Sequence, residues 1–265
     1  FAVAGSSQGK FLLLKIDSTG EVEWSRTYGD GAAKCVIQTI DEGFLVAGES
    51  SWGCFLKTDK EGNVVWQKTY SPSLGLIIIN SFIPTSDGGY LLVGNNNDQI
   101  GVIVKTDFNG NAIWEKTYNA DYPLIKLTQF NDVIQANDGS YFVAEKRCIA
   151  KIDSDGTYLS YQDISGVPFF ILPTRDDGCF FSGNRNIQIP ISEPLPETEF
   201  IPGYQGRVSI IVKADAELNW QWLKTIVDGN YSLFTAGIEA SDGGYVLAGI
   251  LSAQYTLVKN GNFTF

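Results

Sequence analysis

Short apolar runs alternate with polar turns along the whole chain, and residues 88–118 show the pattern most completely. A Gly-Gly turn begins an apolar run at Tyr90, a polar loop leads to a second run that ends at Lys105, and a tight turn leads to a third that contains Trp114. Short runs rich in Val, Ile, Leu, Phe and Tyr between turn residues are typical of β-strands. No segment has the period of an amphipathic helix, so the sequence predicts an all-β fold.

The same unit recurs when the chain is aligned on a Lys that stands two residues before a turn Asp. Five clear copies contain Lys15, Lys57, Lys105, Lys151 and Lys213, and Lys259 marks a sixth copy with a shorter turn. Most spacings between copies lie in the forties, and each copy holds four short apolar runs, which is the signature of a β-propeller. We therefore predict six blades of four antiparallel strands, labelled A to D from the axis outward.

The copies place the blades within one domain, at residues 1–28, 31–70, 74–118, 124–164, 166–227 and 231–265. The fourth copy is degenerate, because Tyr161 lies one place beyond the expected Trp. The first blade lacks its inner strand A, and the last is truncated within strand D. Since an unpaired strand edge invites pairing, we expect the missing strand to come from residues upstream of Phe1 or from a neighbouring molecule.

The turns are of two kinds, which predicts two different faces of the disc. The A–B turns share Asp and Gly, and the C–D turns repeat as Asp-x-x-Gly, residue types that tight hairpins need. The B–C and D–A connections vary, and the longest is a Pro-rich B–C insert at residues 184–207. Variable loops on a repeated scaffold commonly carry binding sites. We name the two sides the turn face and the loop face, and expect binding at the loop face.

Candidate binding residues on the loop face are polar side chains suited to hydrogen bonding, and aromatic or Arg side chains suited to stacking or anchoring a partner. They are Trp52, Asn95, Asn96, Asn97, Asp98, Arg147, Arg185, Tyr204, Arg207 and Tyr231. The structural alternatives are a solvated loop at the Asn run and aromatic residues that pack the insert onto the disc. Asn230 and Asn262 stand in sequons that would permit N-glycosylation of a secreted protein.

The C–D hairpins carry a resemblance to a known family. IDSTGEVEW, TDKEGNVVW, TDFNGNAIW and ADAELNWQW resemble the tryptophan-docking repeat of quinoprotein-like propellers, in which Trp follows Asp by seven residues. The matching residues are Trp24, Trp66, Trp114 and Trp222, and the resemblance implies that each ring docks on the neighbouring blade. The fuller repeat resembles secreted propeller repeats of archaeal and bacterial surface proteins, which implies an extracellular or cell-surface location.

The composition excludes several classes of partner and of chemistry. With 19 basic and 30 acidic residues the net charge is −11, which argues against nucleic acid or an anionic membrane as partner. No apolar run is long enough to span a membrane. His is missing, and with it the commonest general base and metal ligand. We expect no catalytic residue, no metal and no cofactor, since the quinoprotein cysteine pair and Ca²⁺ ligands are not recognisable either.

The four cysteines show no metal-site spacing and are expected to be small strand residues. Cys35 is placed at the start of strand A and Cys54 at the start of strand C of one blade. Two strand spacings separate them, about 9–10 Å, which is beyond the reach of a disulfide. The oxygen-rich turn at residues 153–156 is interpreted as a plain hairpin and not as a calcium site.

Three functions from different classes remain open. The favoured one is a secreted or cell-surface module that binds protein or carbohydrate through the loop face. The alternative is a structural subunit of an extracellular assembly, such as a homo-oligomer or a filament. An enzyme, for example one acting on glycosides, is disfavoured because no nucleophile–base pair is recognisable.

Overall fold

The computed structural model describes residues 1–50, 54–70, 77–118, 128–164, 166–187, 206–226 and 231–252. Every regular element in these ranges is a β-strand, which confirms the all-β class. The strands are β1 (Ala2–Ser7), β2 (Lys10–Ile16), β3 (Val22–Asp30), β4 (Ala32–Gln38), β5 (Phe44–Glu49), β6 (Cys54–Thr58), β7 (Val64–Thr69), β8 (Ile77–Pro84), β9 (Tyr90–Asn96), β10 (Gly101–Thr106), β11 (Ala112–Tyr118), β12 (Phe130–Gln135), β13 (Tyr141–Glu145), β14 (Cys148–Ile152), β15 (Tyr158–Asp163), β16 (Gly166–Pro173), β17 (Cys179–Ile187), β18 (Gly206–Ala214), β19 (Trp220–Ile226), β20 (Tyr231–Glu239) and β21 (Tyr245–Ser252).

Each strand pairs antiparallel with the next strand of its own repeat. The resulting sheets are β1–β3, β4–β7, β8–β11, β12–β15, β16–β19 and β20–β21, and we number them blades 1 to 6. A single bridge between Glu49 and Ile78 joins blades 2 and 3. The count of six blades stays a prediction, because these sheets are the ones within the described ranges.

The first strand of each full sheet lies at the axis of a propeller. The inner strands β4, β8, β12, β16 and β20 contact one another in turn around this axis. Apolar side chains fill the space between successive blades, so the sheets of blades 2 to 5 are covered on both faces. Phe55, for example, packs from blade 2 against the rings of Phe82 and Tyr90 in blade 3, at centroid distances of 5.0 and 5.6 Å.

Every inner strand of blades 2 to 6 contains a β-bulge at the same place. One extra residue on strand A stands unpaired against strand B, and these five bulge residues are Lys34, Asn80, Asn131, Phe169 and Thr235. A bulge bends its strand and redirects a side chain, which suits strands that converge on one axis. The bulges lie towards the loop face, because strand A starts there. Their residue types are Lys, Asn, Asn, Phe and Thr in turn, while the backbone irregularity is the same.

Two details of the expected strands are corrected. Cys35 lies in the middle of β4 and not at its start, because β4 begins at Ala32. Strand B of blade 3 continues through Asn95 to Asn96, so it takes up half of the polar run that was assigned to a loop. In blade 4 the register places Ser160 opposite Lys151, where other blades pair Lys with Trp, so Tyr161 lies one position beyond.

The four cysteines are free thiols, and all but Cys35 are buried. Burial raises the pKa of the Cys35 and Cys179 thiols to about 12, so both stay protonated and react slowly at neutral pH. Among the described residues no helix is long and apolar enough to cross a bilayer.

Candidate functional site

The turn face is held by a Lys–Asp pair that recurs in four blades. The Lys57 ammonium, only 4% exposed, donates to Asp41 Oδ1 at 2.7 Å, to Thr39 Oγ1 at 2.7 Å and to the Thr58 carbonyl at 3.0 Å. The equivalent ion pairs are Lys105–Asp87, Lys151–Asp138 and Lys213–Asp176. The Lys that marks the repeat in the sequence thus ties strand C to the A–B turn. Its role was not foreseen, although the fixed Lys and Asp positions carried the signal.

These pairs make the stability of the protein depend on acid pH. The Lys57 hydrogen bond lowers the pKa of Asp41 to about 2, and the Lys213 hydrogen bond does the same for Asp176. A carboxyl with a lowered folded-state pKa stabilises the fold above its unfolded value, near 3.8, and loses that contribution as pH falls towards 2. Each carboxylate is about half exposed, so each pair contributes less than about 1 kcal/mol.

Lys57→Met should therefore flatten the acid limb of the stability curve. We expect the free energy of unfolding, measured by urea denaturation at pH 7, 4 and 2.5, to fall less steeply below pH 4 in the variant than in the parent. Lys60→Met is the matched control, because Lys60 is exposed and lies 3.9 Å from Glu42. An acid limb that is equally steep in all three proteins would contradict the assignment.

The tryptophans of the C–D hairpins lie against the next blade. A Cβ placed on Gly110 would come within 2.7 Å of the Trp66 ring, and one on Gly156 within 2.7 Å of Trp114. Trp24 approaches Gly62 in the same way and donates its indole N–H to the Lys60 carbonyl at 3.2 Å. The rings are half-buried, and the position that Trp222 would face lies outside the described residues.

A Tyr four residues after Trp24, Trp66 and Trp114 completes the contact in blades 1 to 3. Tyr28, Tyr70 and Tyr118 donate their hydroxyl hydrogens to the carbonyls of Gly62, Gly110 and Gly156, at 2.7, 3.1 and 2.7 Å. Residues four apart on a strand point to the same side. The Trp ring and the Tyr hydroxyl therefore bind one Gly peptide together. The turn face is thus a scaffold whose polar groups bind one another.

The loop face has a different chemistry at its centre. The Lys34 ammonium donates to Asn80 Oδ1 at 2.8 Å, and Asn80 Nδ2 donates to the Phe130 carbonyl at 2.8 Å. One blade further, the Asn131 amide donates to the Pro168 carbonyl at 2.9 Å. The bulge residues thus form a relay around the axis from blade 2 to blade 5, and the relay leaves Lys34 partly exposed.

A partly buried carboxylate supports this relay. Asp132 follows the bulge of blade 4 and accepts hydrogen bonds from Ser81 Oγ at 2.7 Å, from its neighbour Val133 N at 2.9 Å and from Ile171 N at 3.0 Å. It thereby connects the inner strands of blades 3, 4 and 5. Burial raises the pKa of this carboxyl, and the three donors oppose that rise. Sequence reasoning missed Asp132, because nothing in the repeat distinguishes it from a loop Asp.

The structure separates the candidate residues of the Asn run. Asn95 and Asn96 are buried, and Asn95 Oδ1 accepts from Asn80 at 3.2 Å. Asn96 Oδ1 accepts from the backbone N–H groups of Asp98 and Ile100 and so closes the B–C turn. Asn97 and Asp98 are exposed at the tip of that turn.

Arg147 is exposed in the B–C turn of blade 4, where its backbone N–H donates to the buried carboxylate of Glu145 at 2.9 Å. The other candidates have side chains outside the described residues. They are Trp52, Arg185, Tyr204, Arg207 and Tyr231, together with the sequon residues Asn230 and Asn262. Among the side chains that are described, no three His, Cys, Asp or Glu residues are grouped as metal ligands would be. The chemistry that the described loop face offers is hydrogen bonding, cationic groups such as Lys34 and Arg147, and apolar contact.

Comparisons with known proteins support the propeller. No family model matches the sequence, and no curated protein matches it. Similar solved structures include the Dos1 propeller (13% identity, TM-score 0.57, 93% of this chain and 62% of that one) and Saccharomyces cerevisiae Sqt1 (11%, 0.61, 92% and 65%). A Bacteroides caccae protein of unknown function is also similar (15%, 0.53, 85% and 93%). The chain spans less than two thirds of Dos1 and Sqt1. At these identities the likeness shows the fold alone.

Proposed function

We propose that this chain is an interaction module that binds a protein partner at the centre of its loop face. The observation that carries the proposal is the contrast at equivalent positions of the two faces. On the turn face the same Lys, Asp, Trp and Gly recur and bind one another. On the loop face one backbone irregularity presents Lys34, Asn80, Asn131, Phe169 and Thr235 in consecutive blades.

A constant backbone with variable side chains is the arrangement expected of a recognition surface. A cation, two amides, an aromatic ring and a hydroxyl around one axis match the mixed chemistry of a polypeptide surface. The exposed tips at Asn97, Asp98 and Arg147 would extend this surface outward. A glycan is the other ligand that amides and aromatic rings could bind, and it is one outcome of the test below.

A site-specific photo-crosslinker tests which face binds. Benzoylphenylalanine would replace Asn97 at the tip of the B–C turn of blade 3, or Asn109 in the C–D turn of the same blade. Both residues are exposed, but they lie on opposite faces. With extracellular proteins of the source organism, we expect protein adducts from position 97 and none from 109. Equal adducts, or adducts from 109 alone, would overturn the proposal, and binding only on a glycan array would replace protein by carbohydrate.

Once a partner is identified, the Lys34→Glu variant should bind that partner more weakly than the parent protein does. A reversed charge within an interface is expected to raise Kd about tenfold or more, equivalent to about 1.4 kcal/mol. Lys60→Glu on the turn face, where Lys60 is 59% exposed, should leave Kd unchanged. Titration calorimetry at two salt concentrations would separate this local contact from general charge repulsion. Equal Kd values for both variants would count against the bulge residues as the binding surface.

The proposed location is extracellular or at the cell surface, and it rests on the resemblance of the repeats. Recovery of peptides of this chain after brief protease treatment of intact cells would support this location, and recovery only from lysed cells would contradict it.

A second candidate function, a subunit of an extracellular assembly, is favoured by the face of blade 6 that points away from blade 5. There Ile238, Val246 and Ile250 are 63%, 58% and 63% exposed. Concentration-dependent sedimentation that Val246→Lys abolishes would support that function.

A further inference from the structure

The C–D turn of blade 3 contains an Asn-Gly pair, at Asn109 and Gly110. Asn109 is exposed, and Gly110 adopts a φ of +72°. The residues at the position of Asn109 in the other described C–D turns have no side-chain amide, and they are Thr19, Glu61, Asp155 and Glu217. A second Asn-Gly pair, at Asn260, lies outside the described residues. Among the described C–D turns, only that of blade 3 therefore places a side-chain amide next to a Gly nitrogen.

An Asn-Gly pair can modify itself, because Gly has no side chain to keep its nitrogen away from the preceding amide. The Gly110 nitrogen attacks the carbonyl carbon of the Asn109 side chain, a C–N bond closes a succinimide ring, and ammonia leaves with the proton of the Gly110 nitrogen. Water then opens the ring at either of its carbonyl groups. One opening gives aspartate, and the other gives isoaspartate, in which the main chain runs through the side-chain β-carbon. The reaction consumes water and needs no other reactant.

The neighbouring Asn111 has a protected amide in the same turn. Its Nδ2 donates to Asp107 Oδ2 at 2.9 Å, and its Oδ1 accepts from Lys68 Nζ at 2.8 Å. Ala112 follows it, so a methyl group lies beside the nitrogen that would have to attack. The Asn109 side chain takes part in neither of these hydrogen bonds and is exposed, so it can turn towards the Gly110 nitrogen.

One hydrogen bond slows the attack. The Gly110 N–H donates to the Asp107 carbonyl at 3.1 Å, and this bond must open before the nitrogen reacts. An exposed turn opens locally at a lower free energy than the whole fold does. We therefore expect the reaction to proceed in the folded protein, but more slowly than in an unstructured peptide of the same sequence.

Isoaspartate at this position would change the contact between blades 2 and 3. The Trp66 ring lies against Gly110, and the Tyr70 hydroxyl donates to the Gly110 carbonyl at 3.1 Å. Isoaspartate adds one carbon to the main chain directly before Gly110. The added carbon lies between Asp107 and Asn111, and the Asp107 N–H donates to the Asn111 carbonyl at 2.9 Å to close the turn. The lengthened chain cannot keep both this closure and the position of the Gly110 peptide.

We propose that Asn109 is a self-modification site that converts to aspartate and isoaspartate in the folded protein, and that the isoaspartate form loses the docking of Trp66 and Tyr70 on blade 3. Because ammonia is lost, the conversion does not reverse, and the contact between blades 2 and 3 weakens with the age of the molecule. Each conversion also adds one negative charge to the turn face. The equivalent contact at Gly62 follows Glu61 and does not age in this way.

Peptide mapping of the aged 265-residue protein is the direct test. Trypsin releases residues 106–116, so Asn109 and Asn111 are compared within one peptide. We expect Asn109 to convert at least about tenfold faster than Asn111, which corresponds to about 1.4 kcal/mol in the barrier. The rate should be higher at pH 8 than at pH 7, because the Gly110 nitrogen must lose its proton. Conversion of Asn109 only in urea that unfolds the protein, or equal rates at the two Asn residues, would overturn the proposal.

Urea unfolding tests the consequence for the fold. The isoaspartate fraction of the aged parent should unfold at a lower urea concentration than the fresh protein. Asn109→Thr has the residue that blade 1 uses at this position, and its urea midpoint should not change with age. Fresh Asn109→Asp has the added charge without the longer main chain and should unfold like the fresh parent. An isoaspartate fraction that unfolds at the same urea concentration as the fresh protein would refute the link to Trp66.

Discussion

Replacing Gly110 by Ala is expected to lower the free energy of unfolding by about 3–4 kcal/mol. Two costs add. The backbone at Gly110 has a φ of +72°, which an L-residue adopts at a cost of about 1–2 kcal/mol. The new Cβ would also lie 2.7 Å from the Trp66 ring and displace it. Losing the packing of a half-buried Trp costs about 2 kcal/mol, less than the full value for a buried ring.

Gly20→Ala is the matched control for this effect. Gly20 occupies the same turn position in blade 1 with a φ of +92°, but nothing lies within 4 Å of its would-be Cβ. It should therefore show the backbone cost alone, about 1–2 kcal/mol. Urea unfolding of Gly110→Ala, Trp66→Ala and the double variant completes the cycle, and the double variant should cost less than the sum of the single variants. Equal losses for Gly110→Ala and Gly20→Ala would show that Trp66 does not depend on that Gly.

The protein already contains a natural version of this experiment. In blade 5 the turn position holds Leu218 at a φ of +67°, and Leu218 is buried in the core between blades 4 and 5. The preceding blade has Ser160 at the position of the docking Trp. Where no ring arrives, the turn carries a side chain that fills the space. The missing Trp of the fourth repeat and the missing Gly of the fifth are therefore changes at the two partners of a single contact between blades 4 and 5.

The repeated parts of the fold could be predicted because repetition makes weak signals additive. Apolar runs, Asp-Gly turns and the Asp-to-Trp spacing each recur, and together they gave the strand order of every described sheet. The bulges could not be predicted, because Lys34, Asn80 and Phe169 share no residue type. A bulge of this kind is fixed by how strands crowd at an axis, which is a property of the ring and not of one repeat.

The burial of two candidate residues, Asn95 and Asn96, could not be predicted for a related reason. Polar residues between two apolar runs suggest solvent, yet Asn95 and Asn96 are buried because neighbouring backbone and side-chain groups need their amide atoms. The sequence does not distinguish an Asn that closes a turn, such as Asn96, from one that is exposed at the turn tip, as Asn97 is. For Asn95 the distinction depends on Asn80 of the neighbouring strand β8, whose side chain is in turn held by Lys34 of blade 2.

Asp132→Ala is expected to cost about 2–4 kcal/mol, because two hydrogen-bond donors lose their acceptor and each such donor costs about 1–3 kcal/mol when it is buried. The variant would leave the Ser81 hydroxyl and the Ile171 N–H without their acceptor in the core of the ring. Asp132→Asn keeps one acceptor oxygen, so its free energy of unfolding should fall by about half as much as that of the Ala variant. Asp98→Ala, at an exposed turn tip, should change the free energy of unfolding by less than about 0.5 kcal/mol.

The pH dependence of the Asn variant distinguishes a buried charge from a simple hydrogen-bond acceptor. Burial raises the pKa of Asp132, so in the parent this group weakens the fold as pH rises from the unfolded value near 3.8 through the folded value. Asn has no such dependence, and the loss caused by Asp132→Asn should be smaller at pH 7 than at pH 3. Asp41 has a lowered pKa and the opposite sign, so Asp41→Asn should cost less at pH 3 than at pH 7. If both variants show the same trend in urea unfolding at the two pH values, then Asp132 is ionised as easily as a surface carboxylate, and its three donors outweigh its burial.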